Sequence, residues 1–149
     1  DIKESSYLLC TGLFEEQGDD LNYYKELFKA HINKKMICTN PDLIVDKGNK
    51  RELCAGSVAL VFEKMGGEVM YFGKPFPEVY NKSIDNKEKK VLSIGDNLNT
   101  DIKGANLLNY DSLIISNGVH KDEIKKEGID IVSKRYGVIV NFIQKELKW

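Results

Sequence analysis

Ser93-Ile94-Gly95-Asp96-Asn97-Leu98-Asn99-Thr100-Asp101-Ile102 decides the fold of this chain. The run Lys90-Val91-Leu92-Ser93-Ile94 spells a buried strand that Gly95-Asp96 ends, and a helix is expected from Asn99 or Thr100 to about Leu108. A strand that hands an Asp to a following helix is the joint of an open α/β sheet. In such sheets ligands sit beyond the carboxyl ends of the strands, so Asp96 stands where a site belongs. Two carboxylates flanking one strand-to-helix turn, Asp96 and Asp101, can face a single cavity and suit a hard cation such as magnesium. Taken alone, the stretch also reads as a strand end followed by an Asp in a helix first turn.

Working outward, the same alternation continues on both sides. Upstream, Glu68-Val69-Met70-Tyr71-Phe72 is a strand running into Gly73-Lys74-Pro75, and Pro77 opens a short helix to about Ile84. Asp85–Lys89 is a charged, solvated connector. Downstream, Ser112–Ser116 is a strand ended by Asn117-Gly118, and His120–Glu127 is a short charged helix. Val138, Ile139, Phe142, Ile143 and Leu147 lay an apolar stripe on an expected C-terminal helix. From Glu68 onward the order is β-α-β-α-β-α, which implies a parallel sheet with helices packed on it.

The first part of the chain is also α/β in pattern. Tyr7–Thr11 and Lys35–Thr39 read as strands, the second cut by the turn signal Asn40-Pro41-Asp42. Asp20 precedes the helical face Leu21, Tyr24, Leu27, Phe28 and Ile32. The segment Lys47–Arg51 is polar and loop-like, and Leu53, Val58, Leu60, Val61 and Met65 form a helix stripe stopped by Gly66-Gly67. Met65, Tyr71 and Phe142 read as core.

Composition narrows the function. At 149 residues the chain is one ordinary domain or two small lobes. A net charge of −1 provides no electrostatic reason to expect nucleic acid or an anionic membrane as partner. No apolar run approaches the roughly 18 residues of a membrane span. The polar start Asp1–Ser6 is unlike a signal peptide, and it lacks an initiator Met. Cys10, Cys38 and Cys54 are odd in number and lie in apolar stretches without ligand spacing, so three buried, reduced thiols of a cytoplasmic protein are expected. His31 near a helix end and His120 after a Gly-Val turn have ordinary explanations, the latter as a surface residue. No Gly-x-Gly-x-x-Gly follows a strand, which argues against a dinucleotide site.

Lys74 at a strand end, one helix and one strand before Gly95-Asp96, suggests an ammonium beside a phosphate, although for the tripeptide alone a surface Lys in a tight Gly/Pro turn is the simpler reading. The series Thr39-Asn40-Pro41-Asp42, Cys54-Ala55-Gly56-Ser57, Gly73-Lys74-Pro75 and Gly95-Asp96 through Asp101-Ile102, in this order, resembles the class IIA branch of the HAD superfamily. That branch holds the p-nitrophenyl-phosphatase-like and sugar- or nucleotide-phosphate phosphatases. The resemblance runs from about Leu9 to about Glu123, and Asn117-Gly118-Val119 fits it too.

The resemblance implies an α/β fold: a Rossmann-like HAD core, here incomplete, with part of an α/β cap. Residues 1–67 would be the C-terminal part of the cap and 68–149 the C-terminal half of the core. It implies Lys74 as the catalytic lysine that neutralises phosphate and nucleophile, Asp96 as the Mg2+ ligand, and Asp101 as the supporting catalytic carboxylate. Asn40 to Asp46 would be the cap loop, with Asn40 and Asp42 at the substrate; the substrate would be a small phosphorylated metabolite. Val45 stands where the family often has a larger or more polar residue, so substrate preference does not transfer.

One departure is decisive for activity. The family's mechanism needs an Asp nucleophile and an Asp two residues later as general acid/base. No Asp-x-Asp occurs in this sequence; Asp19-Asp20 has the wrong spacing and Asp130-Ile131-Val132 lacks the second Asp. The Thr/Ser-Asn phosphate-binding strand end is missing as well, since Thr39-Asn40 goes with the cap segment. The chain is therefore expected to be inactive alone and to need its N-terminal half, a partner or self-association, because the strand ending at Asp96 would otherwise present an open apolar edge. The alternative is a non-catalytic remnant or binding module derived from such a phosphatase.

Overall fold

The computed structural model describes residues 2–84 and 90–148, so the connector Asp85–Lys89 lies outside the described residues. The chain forms two compact units that divide between Gly73 and Lys74. Both are parallel sheets flanked by helices.

In the first unit, β1 (Tyr7–Cys10), α1 (Leu21–Lys29), β2 (Lys35–Cys38), the hairpin β3 (Ile44–Lys47) and β4 (Lys50–Leu53), α2 (Ala55–Lys64) and β5 (Glu68–Tyr71) follow in order. The main sheet runs β1-β2-β5, all parallel. Strand side chains alternate between faces, so Leu8, Cys10, Met36 and Cys38 point inward against Tyr24, Phe28, Val58 and Phe62 of the two helices. Met65 and Tyr71 pack on the same core, as their spacing suggested. α1 starts where the sequence placed it, because the Asp20 side chain accepts from the Asn22 amide at 2.9 Å. Phe28 and Phe62 meet edge to face at 5.0 Å, joining α1 to α2.

The second unit comprises α3 (Pro77–Ser83), β6 (Leu92–Gly95), a π-helical turn (Leu98–Ile102) continuing into α4 (Lys103–Leu107), β7 (Asp111–Ile115), α5 (Lys121–Glu127), α6 (Ile129–Tyr136) and β8 (Phe142–Gln144). Its sheet runs β6-β7-β8, again parallel. Leu98, Ile102, Ile114, Val132 and Val138 form the core.

Four elements differ from the sequence reading. The expected C-terminal helix is absent: α6 lies upstream, Gly137 stops it in the left-handed region at φ 65, and β8 follows. The stripe misled because Val138 and Val140 face the core while Ile139 is exposed, which is the two-residue period of extended chain. Phe142 is accordingly exposed on β8 rather than core. Lys47–Arg51 is a hairpin turn, with Lys47 paired to Lys50 and Gly48 at φ 62 in the two-residue loop. Finally, β5 pairs with β2 in the first unit, whereas the reading grouped Glu68–Phe72 with the second.

Both sheets keep one apolar face open. Tyr7, Leu9 and Met70 are exposed in the first unit. In the second, Ile94 and Phe142 flank Leu113 in register across three strands, and both are exposed. Among the described residues β6 is also an edge strand. Parallel sheets are normally covered on both faces, and an apolar edge invites pairing. Of the cysteines, Cys10 and Cys38 are buried opposite each other on β1 and β2, while Cys54 is only half-buried, contrary to expectation. No helix among the described residues is long and apolar enough to cross a membrane.

The open faces predict that the mass measured by light scattering rises with protein concentration, and that Phe142→Lys lowers it toward the monomer with a stability change within about 0.5 kcal/mol. A monodisperse, cooperatively unfolding wild-type monomer would contradict this.

Candidate functional site

The carboxyl end of β6 is built around Asp101. The π-helical turn brings this side chain back over the strand end, with Asn97 capping the turn by accepting from the Asn99 amide at 2.9 Å. Asp101 Oδ2 accepts the backbone N–H groups of Asp96 and Asn97, each at 3.1 Å. Its Oδ1 accepts the Lys74 ammonium at 2.5 Å. The Asp101 side chain is 8% exposed and that of Lys74 is 45% exposed. The pair is therefore anchored on the carboxylate side and open to solvent on the ammonium side.

Glycine makes this seat possible. A Cβ on Gly95 would overlap the Asp101 carboxylate, so only glycine lets the carboxylate lie against the strand end. The same arrangement recurs at Asp96: a Cβ on Gly118 would overlap its carboxylate. Asp96 Oδ2 accepts the Val119 N–H at 3.1 Å. The loop after β7 thus aims Asp96, and the helical turn after β6 aims Lys74 through Asp101.

The two carboxylates have different roles available to them. Both oxygens of Asp101 are committed to protein donors, whereas Asp96 is half-buried and commits Oδ2 alone in the hydrogen bonds of the described residues. Two carboxylates and one ammonium leave one formal negative charge, which favours a cation. Asp96 can provide one oxygen to such an ion. No group of three or more His, Cys, Asp or Glu capable of holding a metal occurs among the described residues. That donor set fits magnesium, which is bound through one or two carboxylates and keeps several waters; it does not fit a metal that demands a full protein cage.

Lys74, Asp96 and Asp101 therefore meet in the second unit. Asn40 and Asp42 belong to the first, in the loop after β2. There Asn40 Oδ1 accepts the Asp42 amide at 3.1 Å, and the Asp42 carbonyl accepts the Gly56 N–H at 3.1 Å. The Asn40 side chain thus shapes its own turn.

His120 departs from its surface reading. It is 5% exposed, its Nδ1 lies 3.2 Å from Glu123 Oε1, and its ring meets Tyr136 edge to face at 4.8 Å. The Tyr136 hydroxyl and Arg135 also bond Glu123, and Arg135 pairs with Glu127. Burial pushes the Glu123 carboxyl up, but the His120 and Tyr136 hydrogen bonds and the charges of His120 and Arg135 outweigh it, leaving the group below its ordinary range. Sequence reasoning also missed Gly118 and Val119 as supports of Asp96. The Asn117-Gly118 strand end was their only local signal.

Residues 71–137 match a family model described as HAD-hydrolase-like. The chain is 28% identical over 119 residues to dihydroxyacetone phosphatase of Corynebacterium glutamicum (strain R), covering 73% of this chain and 43% of that protein. A solved haloacid dehalogenase-like hydrolase from Brucella suis 1330 is 34% identical, with a TM-score of 0.74 over 80% of this chain and 50% of that one. The p-nitrophenyl phosphatase from Archaeoglobus fulgidus shares the fold at 19% identity, with a TM-score of 0.68 over 98% of this chain and 56% of that one. The chain spans about half the length of the relatives it matches.

Asp101→Ala leaves two backbone donors and an ammonium without their acceptor, and is expected to cost about 2–4 kcal/mol in urea unfolding, allowing for the exposure of Lys74. Gly95→Ala displaces the same carboxylate, so the double variant is expected to lose less than the sum of the two. Glu123, whose folded pKa is depressed, contributes stability above the ordinary value of 4.5 and loses it as pH falls through the lower folded value. Amide exchange in α5 is expected to quicken below pH 4.5 relative to α4.

Proposed function

We propose that this chain, which belongs to the HAD-like hydrolases, contributes the lysine-and-carboxylate half of a magnesium-dependent phosphomonoester phosphatase. The observation that carries this reading is the split between two carboxylates at one strand end: Asp101 is wholly engaged by Lys74 and two amides, and Asp96 retains an oxygen for an ion. Asp96 would hold Mg2+. When bound, the ion supplies charge neutralisation and Lewis-acid polarisation of a phosphoryl oxygen.

The chain's own residues do the rest of the half-site's work. Lys74 offsets negative charge on the phosphoryl group and on a carboxylate nucleophile, its side chain being half-exposed. Asp101 holds Lys74 and the Asp96 backbone in register, while Gly118 and Val119 hold the Asp96 carboxylate. On this reading the first unit belongs to a cap and the second to the catalytic core, and the Asn40–Asp46 loop selects the leaving group. The substrate is a small phosphorylated metabolite, and the protein acts in the cytoplasm.

The attacking group is not in this sequence, which contains no Asp-x-Asp. A covalent mechanism therefore requires a strand carrying the nucleophile from elsewhere, and the open faces of both sheets are suited to receive covering structure. The same absence favours the rival reading, a non-catalytic binding module.

The test has two arms on this chain. Titration with Mn2+ followed by electron paramagnetic resonance is expected to show binding that Asp96→Asn weakens roughly 10-fold or more, as for loss of a charged ligand. Hydrolysis of p-nitrophenyl phosphate with Mg2+ is expected to stay at background. Mn2+ binding indifferent to Asp96→Asn overturns the metal assignment, and turnover abolished by Asp96→Asn overturns the requirement for an outside nucleophile.

A further inference from the structure

We infer that Tyr80 is a positioning residue for the Lys74–Asp101 pair, acting through a hydroxyl seated on Gly104. The inference rests on the half-site reading above and assigns a device that sets its geometry. Tyr80 lies on α3, which follows Lys74 after a short loop, and Gly104 lies on α4, less than one helical turn beyond Asp101. The two sides of this contact are therefore tied by short lengths of chain to the two members of the ion pair.

A Cβ on Gly104 would overlap the Tyr80 hydroxyl oxygen and would stand 2.7 Å from Tyr80 Cζ. Glycine inside a helix costs roughly 1 kcal/mol relative to alanine, and α4 is only five residues long. The hydroxyl that fills the glycine's missing side chain is a physical reason for that glycine. On the far side the Tyr80 ring meets Tyr110 edge to face at 6.4 Å. Tyr110 is itself fixed to α4 by its amide, which donates to the Ala105 carbonyl at 2.9 Å. The ring is held between these two contacts.

The hydroxyl is buried, and the Ser93 side chain lies beside it as a hydrogen-bonding neighbour that falls short of full hydrogen-bond geometry. A weakly bonded buried hydroxyl gains little over phenylalanine, so its seat against Gly104 is the stronger reason for the oxygen. Burial chiefly raises the Tyr80 pKa, the Asp101 carboxylate raises it further, and Lys74 and a hydrogen bond with the Ser93 side chain oppose the rise. The phenol is thus close enough to feel both members of the pair. Ser93 Oγ in turn donates to the Asp101 carbonyl at 3.4 Å, so α3, β6 and the turn bearing Asp101 converge on this oxygen.

A positioning role separates from a merely structural one because stability and the ion pair should respond differently. The measurement is the rate at which Lys74 is acetylated by an N-hydroxysuccinimide ester in the full chain, read by peptide mass spectrometry against the exposed Lys103. Tyr80→Phe and Gly104→Ala are each expected to raise the Lys74/Lys103 ratio about 3–10-fold, and the double variant to return it to within roughly twofold of wild type, because the alanine methyl occupies the space the hydroxyl vacates. Tyr80→Phe should do this without lowering the urea midpoint.

An unchanged ratio in Tyr80→Phe overturns the inference, as does a rise at every lysine in step with lost stability. Should Gly104→Ala fail to fold, the ratio and midpoint of Tyr80→Phe decide alone. Neither metal nor turnover enters the measurement, so failure of the magnesium reading shows at Asp96 and failure of this one at Lys74.

Discussion

Asp101 is a carboxylate almost wholly removed from water, and it is tolerable there because three donors converge on it: the Asp96 and Asn97 amides and the Lys74 ammonium. A buried charge without such compensation would cost several kcal/mol. With it, a single side chain ties the end of β6, the start of the next helical turn and the loop before α3 into one unit. The local backbone follows from this need. The tight turn after Asp96 presents two successive N–H groups to the same oxygen, and Asn97 caps the turn so that they stay so aimed.

Glycine recurs at the points where polar oxygens must come close to backbone. Gly95 admits the Asp101 carboxylate, Gly118 admits that of Asp96, and Gly104 admits the hydroxyl of Tyr80. In each case the missing Cβ is replaced by a group from another element. This locates the oxygen more tightly than a hydrogen bond alone, because packing resists displacement in every direction while a hydrogen bond resists it mainly along one. The site is therefore positioned by shape as much as by charge.

The sheets add a second constraint. Each parallel sheet carries its helices on one face and shows apolar side chains on the other, as Ile94 and Phe142 do in the second unit. A Rossmann-like sheet gains its stability from burial on both faces. The chain spans about half the length of the relatives it matches, and both of its sheets show an uncovered apolar face.

Much of this is legible in the amino-acid sequence. Periods of two and 3.6 residues mark β1, α1, β2, α2, β6 and β7; Asp20 and Pro77 mark helix starts, and Gly95-Asp96 with Asp101 marks the strand end where the candidate site lies. These features are local, encoded by side chains a few residues apart. Tertiary structure alone decided which sheet β5 joins, that Phe142–Gln144 is an edge strand rather than helix, that His120 is buried, and that Asp101 rather than Asp96 is the committed carboxylate. Each depends on a partner distant in sequence: β2 for β5, β7 for β8, Tyr136 for His120, and Lys74 for Asp101. The opening stretch, Ser93 to Ile102, by itself pointed to a strand end as the candidate site; only the fold distinguished its two carboxylates, because the Lys74 and Val119 donors that reach them come from elsewhere in the chain.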